Sequence, residues 1–322
     1  MSDDFSTAPS GPIVCIGSVV ADLLAHPLAA VPAPGQQTLV DSIGLYTGGC
    51  GGNTASALAR LGIPVELVAR AGADALGEFL RLQLARRGIG LRQLQHTTGV
   101  GTSCTLVLVD SDGERRFIHY IGANAHLSLA DVDGRVLEHA PLVHVAGALV
   151  LPGLDGAPLA DLLRRAQQAG ARTSLDIVWD DTGRWWTVLS PSLPFVDFFL
   201  PNLTEARALT GRQAPDDVAQ ALLDAGVGAV ILKLGADGCL VKTQRGERAR
   251  VPGFAVHAVD ATGAGDAFVA GFLAALWRGW NLTDAARLAN AVGAQCVTAV
   301  GASAGIRTWA ETLQMLAESA LS

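Results

Sequence analysis

Two kinds of pattern take turns along most of this chain. Mostly apolar, β-branched runs at residues 13–20, 65–70, 142–146, 173–178, 195–200 and 229–234 predict strands buried on both faces. Between and beyond them, apolar residues recur every three or four positions over 53–61, 75–87, 129–139, 158–169 and 204–210, which predicts helices. The last third predicts three more helices, at 264–278, 283–300 and 308–320. Strands separated by helices imply an α/β fold: a mostly parallel sheet covered on both sides.

Two stretches keep a different rhythm. Residues 38–47 and 102–121 alternate apolar and polar, as half-buried antiparallel strands do. The second carries Asp110-Ser111-Asp112-Gly113, a turn signal that makes it a hairpin. Strands inserted this early do not fit the parallel sheet and are expected to form a small β-sheet lid over its C-terminal strand ends, where open α/β sheets bind ligands. The lid segments fall at about 36–47 and 100–122, within one domain over 12–322 preceded by a flexible tail over 1–11. There is no internal repeat and no low-complexity linker.

Composition narrows the function classes. Half of the 322 residues are hydrophobic and 16% are charged, enough for a sizeable core. The net charge of −7 argues against nucleic acid and anionic membranes as partners. Five scattered cysteines without a CxxC fit a reducing compartment and no zinc site. Residues 1–10 lack an apolar signal segment, and the apolar run at 264–277 is interrupted by Asp266 and too short for a bilayer. A cytoplasmic, soluble protein is expected.

The most specific segment is Asp260-Ala261-Thr262-Gly263-Ala264-Gly265-Asp266, which runs directly into an apolar helix. Nearly bare backbone N–H groups at a helix N-terminus make an anion site. A carboxylate beside a bound anion is useful if it takes a proton from a nucleophile attacking that anion, so the pair reads as phosphoryl transfer. A second glycine cluster, Gly48-Gly49-Cys50-Gly51-Gly52, leads into Asn53 at the head of a helix. Its glycines let a ligand touch the backbone, although a turn with an Asn cap reads the same way. Asp22 is a carboxylate able to accept two hydrogen bonds from a diol, or an ordinary cap. Asn202 and Glu205 share a face at a helix start, either as a capping box or as a pair orienting a hydrated Mg²⁺ and phosphate. Lys233, ahead of Gly235, suits a phosphate tail or simply the surface. Asp176, Trp179, Asp180 and Arg184 form a polar-aromatic segment that is either pocket lining or structural.

Segments 48–62 and 260–273 resemble the two signatures of the ribokinase-like (PfkB) carbohydrate kinases in order and separation, with Asn202-x-x-Glu205 resembling that family's Mg²⁺-linked motif. The resemblance covers about residues 12–317; Ala261, where Thr is commoner, departs from it. It implies a ribokinase-like fold with a β-sheet lid and a phosphotransferase activity with an alcohol group as acceptor, using ATP and Mg²⁺. Asp266 is then the general base, and Gly263, Ala264, Gly265 and the Asp266 N–H hold the γ-phosphoryl. Asp22, Gly48, Gly49 and Asn53 hold the sugar. Asn202, Lys233 and Gly235 meet the ATP phosphates, Asn290 lies by the adenine, and Glu205 reaches Mg²⁺ through water. Many relatives also bind a monovalent cation such as K⁺, for which Asp260, Ala299 and Gly301 are placed to supply oxygens. The lid is a candidate homodimer surface, with Leu106, Leu108, Phe117 and Ile121 as its apolar positions.

Other classes fare worse. Gly301-Ala302-Ser303-Ala304-Gly305 fits a nucleophile elbow, but neither His nor Asp follows it. There is no complete dinucleotide-binding fingerprint and no Gly-Lys-Ser/Thr. A non-catalytic sugar or nucleoside sensor on the same fold would show a lost base, whereas Asp266 is intact. Among substrates, Cys50 stands where kinases of phosphorylated sugars often carry Lys. Residues 145–148 offer no carboxylate where ribokinase has one. The first point weighs against a phosphorylated sugar and the second against ribose, which leaves a free sugar such as a ketohexose, with a nucleoside as the alternative.

Overall fold

A computed structural model describes residues 11–110, 112 and 114–319. The expected tail therefore lies almost wholly outside the described residues, as does part of the hairpin turn. Nine strands form the main sheet: β1 (Ile13–Gly17), β4 (Val65–Gly72), β5 (Gly90–Thr97), β8 (Leu142–Ala148), β9 (Arg172–Ile177), β10 (Phe198–Phe199), β11 (Ala229–Lys233), β12 (Cys239–Thr243) and β13 (Arg248–Val251). Their order is β13-β12-β11-β10-β9-β8-β1-β4-β5. The seven strands from β11 to β5 run parallel, and only β12 and β13 turn back antiparallel.

Alternation along each strand feeds two cores. Ile13 and Cys15 of β1 join Leu67, Ile231 and Val241 on one face. That face is covered by α1 (Cys50–Arg60), α2 (Ala75–Arg86), α8 (Ala264–Trp277), α9 (Leu282–Cys296) and α10 (Trp309–Ser319). Val14 and Ile16 join Val145, Leu175 and Leu232 on the other. There the cover is α3 (Gly134–Glu138), α4 (Ala157–Gln168), α5 (Trp185–Leu189), α6 (Leu203–Thr210) and α7 (Pro215–Asp224). The continuous apolar runs thus reflect burial on both faces. Helix α8 packs tightly on α9: a Cβ at Gly271 would sit 2.9 Å from Ala289 Cα and 3.0 Å from Val292 Cβ.

A second sheet has the order β3-β2-β6-β7, built from β2 (Val20–Leu28), β3 (Ser42–Gly48), β6 (Cys104–Asp110) and β7 (Arg115–Tyr120). β2 pairs antiparallel with β3 and parallel with β6. The two expected lid segments contain β3 and the β6–β7 hairpin but omit β2. The run at 13–20 is therefore not one strand: it breaks at Ser18-Val19, and the chain leaves the main sheet to enter the lid. Asn124 pins this crossing, because its amide donates to Val19 O at 3.0 Å and accepts from Val19 N at 3.2 Å.

Other boundaries also move. The helix expected at 129–139 is a 3₁₀ turn at Leu129–Asp131 followed by the short α3. The strand expected at 195–200 pairs only at Phe198–Phe199, after a 3₁₀ turn containing Pro194. The helix expected to reach residue 300 ends at Cys296. No described helix is long and apolar enough to cross a membrane.

Candidate active site

Parallel strands place their C-terminal ends on one edge, and the chemistry collects there. Helix α8 starts with Gly263 as its N-cap in the left-handed region (φ 74°), with no side-chain cap. A Cβ on Gly263 would lie 2.5 Å from Ala302 Cβ, so both the dihedral and the space require glycine. The first turn closes on itself: Ala264 N donates to Ala261 O at 3.2 Å, and Ala267 N donates to Gly263 O at 2.8 Å. Among the described residues the N–H groups of Gly263, Gly265 and Asp266 have no acceptor. Three free amides at the positive end of a 14-residue helix form an anion site. The N–H of Ala264, counted into that site from the sequence, is consumed by the turn.

Asp266 sits on the same turn and is partly buried. Its Oδ2 accepts from Asn53 Nδ2 at 2.9 Å, joining residues 213 apart in sequence. Burial lifts the Asp266 carboxyl to about 7; the Asn53 hydrogen bond opposes this, the Asp176 charge adds to it, and Lys233 opposes it. The group is thus poised as an acid–base near neutral pH.

Asn53 is aimed by the glycine cluster. Gly49 caps α1 at φ 84°, and a Cβ there would meet Ser18 O at 2.6 Å. Cys50 N donates to Ser18 Oγ at 3.1 Å, so the loop and the β1–β2 crossing interlock. Cys50 lies against Gly147 at the end of β8, and burial, followed by the Asp266 and Asp176 charges, pushes its thiol well up. Asp22 lies on lid strand β2 beside Gly48, where a Cβ would meet Asp22 Oδ2 at 1.9 Å. Burial raises the Asp22 carboxyl, against a hydrogen bond with Thr105.

Lys233 ends β11, and its Nζ is 3.3 Å from where a Gly265 Cβ would stand, directly over the α8 terminus. It is no surface lysine: Nζ bridges both oxygens of Asp176, at 3.0 and 2.9 Å. Asp176 lies near the end of β9, and its side chain is 8% exposed. Burial pushes its carboxyl above the usual range, against the pull of Lys233. Burial lowers the Lys233 ammonium, but the Asp176 and Glu205 charges outweigh it and hold the pKa above its ordinary value.

Asn202 and Glu205 do form a capping box on α6: Asn202 Oδ1 accepts from Glu205 N at 2.8 Å, and Glu205 Oε2 accepts from Asn202 N at 3.1 Å. The same Glu205 feels the cluster. Burial raises it to about 7, Asp176 adds to the rise, and Lys233 opposes it. The capping and site readings of this motif are therefore compatible. Gly235, at φ 64°, turns the chain just beyond Lys233.

Two further expected residues are held by polar partners of their own. Asn290 is 7% exposed, and its amide donates to Val251 O and Pro252 O, both at 3.1 Å, tying α9 to the end of β13. Asp260 is buried and accepts from Thr262 N and Gly301 N, both at 2.8 Å. A further partner is unexpected: Arg115 Nη1, from the first residue of β7, at 2.7 Å. Burial alone would raise the Asp260 carboxyl, but Arg115 and these N–H groups hold it below the usual range. Ala299 lies in the turn with Gly301, half-buried.

The Asp176–Lys233 pair and the Arg115–Asp260 pair escape sequence reading because each joins strands or loops far apart in the chain. A trace of the first was present: a carboxylate within a buried strand needs a partner.

Comparisons with known proteins point to one family. The model of the pfkB family of carbohydrate kinases matches residues 11–309. The chain is 31% identical to a ribokinase of Haemophilus influenzae over 94% of its own length and 98% of that protein's. It is 28% identical to a probable fructokinase-5 of Arabidopsis thaliana, covering 94% and 97% of the two chains. An Arabidopsis thaliana ribokinase, solved with ribose and ATP, superposes with a TM-score of 0.84 at 27% identity, covering 95% and 99%.

Proposed function

The chain belongs to the pfkB family of carbohydrate kinases, and on that footing we propose that Asp266 is the base that readies a free sugar's hydroxyl for the γ-phosphoryl of ATP. The observation that carries this reading is the meeting of three unpartnered amides and a carboxyl lifted to about 7 on one helical turn.

Asp266 takes the hydroxyl proton as the oxygen–phosphorus bond forms, and ADP leaves with the electrons of the broken bond. The N–H groups of Gly263, Gly265 and Asp266 hold oxygens of the transferring group, whose charge is spread over its periphery. Lys233 faces the phosphates from the end of β11, while Asp176 keeps the ammonium charged and in place. Magnesium, when present, would neutralise phosphate charge, and Asn202 and Glu205 would orient its waters. That assignment fits a buried carboxyl that shares the field of Lys233 without contacting it. Asn290 acts near the adenine only through the Pro252 backbone it holds.

The sugar is assigned to the space between Asp22, Gly48, Gly49 and Asn53, with the lid over it. At the end of β8 the chain offers Gly147 and Ala148, with Cys50 against Gly147 and no carboxylate. With Cys50 in place of a basic side chain, that wall offers a sugar phosphate no cation of its own and suits a neutral hydroxylated ring. The domain is read as a single kinase unit over 12–322. The lid's exposed apolar residues, among them Phe117 at 61% and Ile118 at 60%, suit a dimer contact. The five free cysteines suit a cytoplasmic setting. The test is a phosphorylation screen over ribose, ketohexoses and nucleosides with ATP and Mg²⁺. The proposal expects sugar-dependent ADP release with a free sugar, and a response to nucleosides alone would move the assignment to that class.

A further inference from the structure

The pair that no expectation covered is Arg115 and Asp260. Asp260 opens the segment that ends in the anion site, and its side chain is 1% exposed, so its charge needs a counter-charge. Its oxygens are heavily used. Oδ1 accepts from Thr262 N and from the Arg115 guanidinium, and Oδ2 accepts from Gly301 N. Arg115 also donates to Thr262 Oγ1 in the same loop. A monovalent cation, which the family resemblance led us to expect here, needs oxygen lone pairs. It would find three of about four on this carboxylate already taken by donors, and a guanidinium of like charge beside it. The site residues do not suit a diffusible cation.

We propose that Arg115 is a positioning residue that supplies from the lid the fixed positive charge at Asp260, so that the anion loop works without a monovalent cation. The path is short. The β6–β7 hairpin carries Arg115 at the start of β7, paired with Val109. Arg115 fixes Asp260, Asp260 fixes the Thr262 N–H, and the next residue is Gly263, whose amide opens the anion site. The lid's place is thereby tied to the orientation of the amides that meet phosphate. This rests on the kinase reading.

The experiment measures MgATP binding by calorimetry in potassium, sodium and tetramethylammonium chloride at equal ionic strength, the last being too bulky to enter the loop. The wild-type affinity is expected to agree within about twofold across the three salts, and Arg115→Lys to keep that indifference. Arg115→Ala should bind at least about tenfold more weakly in tetramethylammonium, because a buried carboxylate loses its partner, and should recover in potassium. Potassium should likewise raise the melting temperature of that variant alone. A wild-type affinity that climbs about tenfold with potassium overturns the proposal. So does an Arg115→Ala protein that is unaffected, or one equally weak in every salt. If Arg115→Ala does not fold, the wild-type and Arg115→Lys salt series decide the matter. No MgATP binding by the wild type in any salt overturns the kinase reading, and this inference with it.

Discussion

Asp266 carries two burdens that a single substitution separates. Asp266→Asn keeps the hydrogen-bonding shape but cannot take a proton, so turnover should fall by about 10²–10⁴ while MgATP still binds. Because burial lifts this carboxyl to about 7, kcat/KM should rise with pH through that value and level off above it. Its effect on stability has the opposite sense. A carboxyl whose folded pKa lies above its unfolded value of about 3.9 stabilises the fold fully below that value, and the contribution is lost as pH rises through about 7. Glu205, also raised to about 7, behaves alike. Asp266→Asn should therefore melt higher than the wild type at pH 8 and show no such gain at pH 4. Equal melting temperatures at pH 8 would show that the native carboxyl is not strained. Lys233→Met should cost about 3–5 kcal/mol in urea unfolding, since it leaves Asp176 buried beside Glu205 and Asp266 without a cation. Adding Asp176→Asn should return much of that loss.

At the scale of elements, helices α8 and α1 form the site by bringing their N-termini together, and α8 is held by α9. Gly271→Val would press on Ala289 and Val292 and should cost about 1–3 kcal/mol of stability in urea unfolding. An unchanged midpoint would show that the α8–α9 contact gives way easily. The elements also mark what a sequence can reveal. β1, β8, β9 and β11 were legible because strands covered on both faces are apolar throughout. α8 was legible because its glycine-rich start is so constrained. β2 was hidden because its first residues prolong the apolar run of β1, and only the break at Ser18-Val19 sends them to another sheet. β12 and β13 were missed as a short antiparallel edge, and 129–139 was misjudged because its periodicity spans two separate turns.

For the whole molecule, the two glycine signatures and the Asn202-x-x-Glu205 motif revealed the family, since each is local in sequence. The counter-charges were not legible: Asp176 meets Lys233 across 57 residues, and Arg115 meets Asp260 between lid and loop. Electrostatic partners of this kind depend on the assembled topology. The lid exposes Ile43, Ile118 and Tyr120 on one face of its sheet and Phe117 on the other, and exposed apolar residues of this kind suit an interaction surface. Sedimentation equilibrium should find a dimer that Phe117→Ser with Ile118→Asp converts to monomer. A wild-type monomer at all concentrations would remove the lid from the interface.

The most direct test of Asp266 as the base is paired ADP release by wild type and Asp266→Asn, measured with ATP, Mg²⁺ and each free sugar in turn. The expected result is release matched one for one by sugar phosphate in the wild type, and about a hundredfold or greater loss in the variant. Near-normal phosphorylation by folded Asp266→Asn, or a wild type that releases ADP without regard to any sugar, would contradict it.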